Sequence, residues 1–246
     1  MSDHLQSKSL ASSITCDGGM LQPDKHDFAE IVLVRHGETS FNASRIIQGH
    51  VDAELNEVGR EQARVVAQHL SREYRFGAAY SSDLKRAFET AQIISTACNL
   101  SEVVQDPGLR ERNLGDLQGM TLRDSSKLKP QAYKDFLSHN LDQEIQGGGE
   151  SINQLHKRCT STLQEIAMKH IGESVVVVTH GGVIRELYKY AVPGQSPTKK
   201  VVNTSINTLH ISNDGKHWLI KTWGDTRHLD ETSFINDAFG GDKNSG

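Results

Sequence analysis

The chain has 246 residues, of which 36% are hydrophobic and 24% charged, and its formal net charge at pH 7 is -4. This length suits one α/β domain with its own core. The slight acidity excludes a global attraction to nucleic acid or to a membrane surface, and no apolar run reaches the length of a membrane span. The odd set of three cysteines has no C-x-x-C spacing, which predicts reduced thiols in a cytoplasmic protein: Cys16, Cys98 and Cys159.

Apolar periodicity and capping residues predict the elements of the first half of the chain. In order, we expect a disordered tail over residues 1–27, a strand over 31–34, a loop over 41–53, a helix over 57–72 capped by Asn56, a strand over 77–81 and a helix over 83–98 capped by Ser82.

The second half continues the alternation of strands and helices. We expect a short strand at 103–104, an irregular helix over 121–141, a break at 147–149, a helix capped by Ser151, a strand over 175–178 with a helix behind it, a loop over 193–197, a hairpin of 204–211 with 217–222, and a mobile tail over 237–246. This order predicts a single α/β domain over residues 28–236, whose sheet is mostly parallel with an antiparallel addition near the end.

Two of the predicted strands end in the same way, each with a histidine followed by glycine. The first delivers Arg35, His36 and Gly37, and the second delivers His180, Gly181 and Gly182. Parallel strands present their carboxyl ends at one edge of a sheet, where open α/β folds bind ligands. One such histidine is more often structural than catalytic, but the pair favours a functional site.

The residue types at this edge suit phosphoryl chemistry. Arg35, together with Arg86 from the first turn of a predicted helix, can grip phosphate oxygens. A neutral imidazole at His36 can attack phosphorus and form a phosphohistidine, while the cations stabilise the transferring group. A buried carboxyl group can protonate the departing oxygen and then deprotonate water, and Glu111 is the candidate.

Taken singly, these assignments have plain alternatives. Arg35 could be an ordinary surface charge. Arg86 could pair with an acid on its own helix, and Glu111 lies in a charged run that is usually solvated.

Four segments together resemble the histidine phosphatase superfamily, the phosphoglycerate mutase-like group. They are RHGETSFN at 35–42, SDLKRAFETA at 82–91, LRERNLGDLQG at 109–119 and THGG at 179–182. The resemblance implies a three-layer α/β/α sandwich, with His36 as phosphoryl acceptor and Glu111 as proton donor. It implies that Arg35, Asn42, Arg86, His180 and the backbone of Gly181 hold the phosphoryl group, that Gln48 and Gly49 form a substrate-side loop, and that neither metal nor cofactor is used.

The superfamily holds phosphatases and mutases, and two features favour a phosphatase acting on a small phosphorylated substrate. Cofactor-dependent mutases typically continue from the acid as Glu-Arg-His-Tyr-Gly, where this chain has Asn113 and Leu114 in place of the histidine and tyrosine. His180 follows Glu111 by 69 positions, without the longer mutase insertion, so water reaches the pocket more easily. A 2,3-bisphosphoglycerate-dependent mutase and a non-catalytic phosphoanion-binding module are the alternatives, and the sequence leaves the oligomeric state open.

A group of basic residues falls in the segment that would cover the pocket: Arg123, Lys127 and Lys129. They could receive a second anionic group of the substrate. The alternative, a solvated helix face, is the commoner explanation of such a pattern.

Overall fold

The structure is a computed structural model that describes residues 27–229, except for 196 and 198. Its strands are β1 (Phe28–Arg35), β2 (Phe76–Ser81), β3 (Val104–Gln105), β4 (Ser174–Thr179), β5 (Ile206–Ser212) and β6 (Trp218–Asp225). Its helices are α1 (Ser40–Ala43), α2 (Glu57–Glu73), α3 (Lys85–Ala97), α4 (Leu122–Leu128), α5 (Pro130–Phe136), α6 (Ile152–Lys169) and α7 (Gly181–Ala191).

The strands form one sheet in the order β3-β2-β4-β1-β5-β6. β1, β2, β3 and β4 run parallel, whereas β5 and β6 are antiparallel additions beside β1. β1 and β4 are direct neighbours, with Arg35 paired to Thr179. The histidines that follow these two residues therefore emerge side by side at one edge.

Alternate side chains of the buried strands enter two separate cores, as the period of a strand requires. Leu33 and Val177 pack with residues of α6 and α7 on one face of the sheet. Val34 and Val178 pack with residues of α2 and α3 on the other face. This is the predicted α/β/α sandwich, with its mostly parallel sheet.

The predicted caps of the two long helices are present. Asn56 accepts a hydrogen bond from the backbone N–H of Gly59 at the start of α2. Ser151 and Gln154 form a reciprocal capping box at the start of α6, which satisfies two backbone donors that a helix leaves without intrahelical partners.

Three local predictions need correction. The loop predicted over 41–53 begins inside a helix, because Thr39 and Asn42 form a capping box that starts α1. Ser82 does not cap α3, whose N-cap is Leu84 without a side-chain hydrogen bond. The irregular helix predicted over 121–141 is two short helices, because Pro130 cannot continue α4 and instead opens α5.

The segment around α4 and α5 packs through its own small apolar cluster, which includes Ile47, Leu117 and Ile145. Phe136 of α5 lines the same cavity as Glu111. The tails predicted over 1–27 and 237–246 lie outside the described residues, apart from Asp27. Within residues 27–229, no helix combines the length and the apolar character needed to cross a membrane.

Candidate active site

The rings of His36 and His180 meet at the carboxyl edge of the sheet. Their centroids lie 5.2 Å apart and their planes are tilted by 56°. His36 is 1% exposed and His180 is 0% exposed. Two imidazoles at this separation can contact one tetrahedral anion.

The hydrogen bonds of His36 define its tautomer. Nδ1 lies 2.7 Å from the backbone carbonyl oxygen of Gly37. A carbonyl only accepts, so Nδ1 carries the proton and Nε2 holds the lone pair. Nε2 is buried and has no hydrogen-bond partner among the described residues. The lone pair of a neutral imidazole is thus fixed inside the site, as nucleophilic attack requires.

The surroundings of both histidines favour the neutral form. Burial, followed by the charges of Arg86 and Arg35, holds the pKa of His36 well below its ordinary value. The pKa of His180 is likewise lowered well below its ordinary value, first by burial and then by Arg86. An imidazolium here would be desolvated and would lie close to positive guanidinium groups.

Arg86 is fixed by the loop that follows α1. It projects from the first turn of α3, where its Nη2 donates to the carbonyl of Gly49 at 2.8 Å and its Nη1 to that of Val51 at 2.9 Å. Gly49 adopts a positive φ of 53°, which glycine allows without strain. Burial lowers the pKa of Arg86 to about 10, so the group remains charged.

Arg35 lies over the start of α7. Its Nη1 donates to the carbonyl of Val201 at 2.8 Å, and the residue is fully buried. The position that a Cβ would occupy on Gly181 lies 3.6 Å from Arg35 Cζ. Gly181 is the first residue of α7, so its backbone N–H belongs to the helix terminus that attracts anions.

Glu111 faces this helix terminus from the loop after β3 and is fully buried. Its Oε1 accepts from the backbone N–H of Arg112 at 2.8 Å, and its Oε2 accepts from that of Gly182 at 2.9 Å. A Cβ at position 182 would collide with this carboxylate, so only glycine permits the close approach. Each oxygen keeps a further acceptor site with which to exchange a proton.

A second group of residues fixes the backbone that carries Glu111. Arg158 of α6 donates to the carbonyls of Gly108, Arg110 and Glu111, at distances from 2.7 to 3.2 Å. Glu150 holds the Arg158 guanidinium through a 2.8 Å ion pair. His50 Nε2 also donates to the Glu111 carbonyl, at 2.7 Å. The sequence prediction named none of these supporting residues.

Asn42 and Gln48 have buried amide groups that share Thr39 as a neighbour. The Thr39 hydroxyl lies 3.1 Å from Asn42 Oδ1 and 2.9 Å from Gln48 Oε1. With their oxygens directed to Thr39, the amide nitrogens of both residues are buried and have no hydrogen-bond partner within the described part of the chain. Two sets of N–H donors are therefore available to an anion.

Asn203 is the main residue that sequence reasoning missed. Its Nδ2 donates to the backbone carbonyl of His36 at 2.9 Å, and the neighbouring Thr204 N–H donates to the carbonyl of Arg35 at 3.0 Å. The sequence offered one signal, the position of a polar segment directly before β5. The first residue of β5 pairs with Val34, near the end of β1. An antiparallel neighbour of β1 starts where β1 ends.

The three basic residues predicted near the pocket lie elsewhere. Arg123 and Lys127 are exposed on α4, and Lys129 forms a 3.0 Å ion pair with Asp116. None of them lines the cavity that adjoins Glu111. Their positions favour the solvated-face alternative.

The other predicted residues come together. His36 lies beside His180 and close to two arginines, Arg35 lies beside Gly181, Arg86 contacts Gly49, and Glu111 contacts the residue after Gly181. These predicted residues are all buried, as are Asn42 and Gln48. Such a cluster of donors and cations defines an α/β protein that binds a phosphoryl-type anion.

Comparison with known proteins places the chain in a family. The model of the histidine phosphatase superfamily (branch 1) matches residues 31–226, and the chain belongs to this superfamily. The chain is 56% identical over 220 residues to phosphoglycerate mutase-like protein 4 of Arabidopsis thaliana, covering 89% of this chain and 95% of that one. It is 45% identical over 216 residues to the metal-independent phosphoserine phosphatase of the same plant, covering 88% of this chain and 90% of that one.

A solved structure agrees with this placement. The phosphoserine phosphatase of Entamoeba histolytica, crystallised in complex with 3-phosphoglyceric acid, shares 31% sequence identity with a TM-score of 0.69. The match covers 82% of this chain and 99% of that one. These findings confirm the predicted superfamily, the sandwich fold and a phosphatase-class enzyme.

Proposed function

We propose that the protein is a metal-independent phosphomonoester hydrolase that acts on a small phosphorylated metabolite through a phosphohistidine at His36. One observation carries the proposal: a buried Nε2 whose lone pair is fixed by the Nδ1–H bond to Gly37, beside His180 and two guanidinium groups. A cytoplasmic location belongs to the same proposal, supported by the free thiols of Cys98 and Cys159.

The first half-reaction transfers the phosphoryl group to the enzyme. The Nε2 lone pair of His36 attacks phosphorus, and the bond from phosphorus to the leaving oxygen breaks. Glu111 gives its proton to that oxygen, so that a neutral alcohol departs. Arg35, Arg86 and a neutral His180 donate hydrogen bonds to the other phosphoryl oxygens, assisted by the amides of Asn42 and Gln48 and by the N–H of Gly181.

The second half-reaction returns the enzyme to its initial state. Glu111, now a carboxylate, takes a proton from water as the water oxygen attacks phosphorus. The bond between phosphorus and Nε2 breaks, and inorganic phosphate is released. His36 is again neutral and Glu111 again protonated, so protons and bonds balance over the cycle.

The test combines product release with capture of the intermediate. Phosphomonoesters are screened for phosphate release, and the enzyme is quenched in base during turnover and probed for acid-labile phosphohistidine. We expect phosphate release without added 2,3-bisphosphoglycerate, and a phosphoenzyme that is absent in His36→Ala.

Each alternative has its own outcome. Isomerisation of a phosphoglycerate that requires 2,3-bisphosphoglycerate, without net phosphate release, identifies a mutase. Saturable binding of phosphomonoesters with neither turnover nor phosphoenzyme identifies a binding module. Either outcome overturns the hydrolase proposal.

A further inference from the structure

One peptide unit, between Gly37 and Glu38, connects the His36 ring to helix α2. We call it the 37–38 peptide. Its carbonyl oxygen lies 2.7 Å from His36 Nδ1, and its N–H donates to Gln62 Oε1 at 2.9 Å. The N–H and C=O of a trans peptide lie in one plane and point in opposite directions. An acceptor that holds the N–H on one side therefore fixes the direction of the carbonyl on the other.

Helix α2 approaches the 37–38 peptide more closely than side chains would allow. A Cβ on Gly37 would collide with the carbonyl oxygen of Gly59, and a Cβ on Gly59 would collide with the backbone of Glu38. The carbonyl of Glu38 also accepts from the backbone N–H of Asn56, at 3.0 Å. Gly59 and Gln62 are three positions apart, so they share one face of the helix. The two glycines thus bring Gln62 within reach of the peptide.

The contact that Gln62 makes is through its oxygen. The residue is 0% exposed. Its partner is an N–H donor, so the atom facing Glu38 has to be the acceptor Oε1. Its Nε2 is buried and has no hydrogen-bond partner among residues that the structure describes. A buried donor without a partner is unfavourable, so the oxygen accounts for a glutamine at this position.

The opposite orientation of the 37–38 peptide would reverse the tautomer of His36. Glycine at position 37 rotates at little steric cost, which makes that orientation accessible. A rotated peptide would turn the Glu38 N–H toward Nδ1 in place of the Gly37 carbonyl. Nδ1 would then hold the lone pair and Nε2 the proton. An imidazole in that tautomer has no lone pair at the nitrogen that attacks phosphorus.

We propose that Gln62 is a positioning residue that keeps His36 in its nucleophilic tautomer by fixing the 37–38 peptide. The proposal rests on the proposed hydrolase function, in which Nε2 is the nucleophile. A hydrogen bond accepted from the N–H of a peptide also polarises its carbonyl, which strengthens the bond from Nδ1.

The preceding peptide, between His36 and Gly37, is held by other residues. Asn203 Nδ2 donates to its carbonyl at 2.9 Å, and Thr90 Oγ1 accepts from its N–H at 3.1 Å. This peptide does not carry the carbonyl that accepts from Nδ1. Thr90 therefore provides a control that loosens the same turn without releasing the 37–38 peptide.

The experiment measures turnover and the protonation of the His36 ring in Gln62→Met. This change removes the acceptor at nearly unchanged side-chain length. We expect kcat for p-nitrophenyl phosphate to fall about 10- to 100-fold, as for partners that orient a functional histidine, with KM changed less than about threefold. Nitrogen NMR of protein labelled at its histidines distinguishes protonated from unprotonated ring nitrogens. We expect His36, identified by the signals lost in His36→Asn, to gain a population protonated at Nε2.

Three variants serve as controls. Gln62→Glu keeps an acceptor oxygen whether its carboxyl group is ionised or protonated, so it should retain the Nδ1–H tautomer and most of the activity. Thr90→Val should leave the tautomer unchanged. Gln68→Met makes the same substitution at an exposed position of α2 and should change neither quantity. Urea unfolding of each variant shows whether the fold is intact, and if Gln62→Met does not fold, Gln62→Asn withdraws the amide by one methylene instead.

The outcomes separate a positioning role from a merely structural one. If kcat falls while the His36 tautomer stays the same, or if kcat does not fall, the assignment of Gln62 is wrong although the hydrolase stands. A tautomer shift of equal size in Thr90→Val would also overturn it. An enzyme that forms no phosphohistidine on any substrate overturns the proposed function instead, and the NMR comparison still decides whether Gln62 sets the tautomer.

Discussion

Within the described residues, two pairs of histidines have rings in contact, and the groups around the two pairs differ. His36 and His180 lie 5.2 Å apart at the carboxyl edge of the sheet. His69 of α2 and His228, in the turn after β6, stack at 5.7 Å beside a cavity of about 280 Å³ that Arg72 and Arg227 also line. Both pairs therefore combine two imidazoles with nearby arginines.

The difference between the pairs lies in the groups around them. Arg35 and Arg86 are fully buried beside His36, whereas the Arg227 side chain is 78% exposed and is paired with Asp225 at 2.7 Å. Carboxyl groups are present at both pairs, but Glu111 beside the first is fully buried, whereas Asp225, which lines a cavity of about 530 Å³ with His69, is paired with Arg227.

A lowered pKa does not distinguish them either. Burial, followed by the charge of His69, lowers the pKa of His228 to about 4, so a perturbed imidazole occurs in both places. The first pair is distinguished by fully buried arginines and a fully buried carboxyl group beside it, which support its proposed catalytic role.

The largest expected effect comes from removing one histidine of each pair. We expect His36→Asn to reduce kcat for p-nitrophenyl phosphate by about 10⁴-fold or more, because the covalent route is lost. His228→Asn should change kcat by less than about threefold. Steady-state phosphate release measures both, and comparable losses in the two variants would remove the distinction between the pairs.

Glu111→Gln tests the role of the buried carboxyl group beside the first pair. With an alkyl phosphate, we expect kcat/KM to fall about 10²- to 10⁴-fold, since general acid–base catalysis contributes this much. The leaving group of p-nitrophenyl phosphate needs little protonation. With this substrate, the rate of phosphoryl transfer to His36 should therefore change little. The phosphoenzyme should then accumulate, because water attack still lacks its base.

Rapid-quench measurement of the acid-labile phosphoenzyme follows this accumulation. The matched control is Glu186→Gln, which alters a buried glutamate whose carboxylate is paired with Lys189 and lies near His156. If Glu111→Gln lowers kcat/KM equally for alkyl and aryl phosphates, Glu111 is not the proton donor.

Arg86→Gln tests the buried cations, and a smaller effect is expected. Removal of one donor to a transferring group costs about 10²- to 10³-fold in kcat. The charge of Arg86 also lowers the pKa of His36, so its removal raises that pKa. The acidic limb of the kcat/KM profile, where His36 becomes protonated, should therefore move to higher pH.

The pH profile separates this effect from simple loss of binding. In the wild type the acidic limb should lie below the ordinary histidine pKa of about 6.5. An unshifted limb in Arg86→Gln would show that Arg86 does not affect the charge of His36. Arg72→Gln, at the second pair, is the control for loss of one arginine.

Sequence patterns predicted those parts of the site that depend on local order. Two β-branched strands, each ending in histidine and glycine, were sufficient to place His36 and His180 together, because neighbouring parallel strands end at one edge. Arg86 was predictable because it lies in the first turn of the helix that follows β2. The register between β1 and β4, which brings Arg35 beside Thr179, required the folded sheet.

The parts that escaped prediction depend on contacts between distant segments. Asn203 binds the carbonyl of His36 across 167 positions, and no motif marks it. Arg158, in the middle of α6, supports the loop that carries Glu111. Its position relative to the apolar residues of that helix is typical of a solvent-exposed residue. A group for a second anion was predicted around α4, but Arg123 and Lys127 are exposed there and Lys129 is paired with Asp116, a contact that the sequence does not reveal.

The smallest expected effect concerns stability and is specific to the second pair. His228 has a pKa of about 4 in the folded protein, against about 6.5 in the unfolded chain. Between these values the unfolded state binds more protons than the folded state. The contribution of His228 to the free energy of unfolding therefore falls as pH decreases from about 6.5 to about 4, and is constant above that window.

Replacing His228 by Asn removes this titration. Urea unfolding of both proteins at about pH 7 and about pH 4.5 measures the difference in their free energies of unfolding. At the lower pH we expect the free energy of unfolding of the wild type to fall relative to that of the variant. Only the wild type buries an imidazole that the unfolded chain would protonate at that pH. His36 and His180 titrate in both proteins and cancel in the comparison. A difference independent of pH would show that burial at the second pair does not disfavour the charged imidazole.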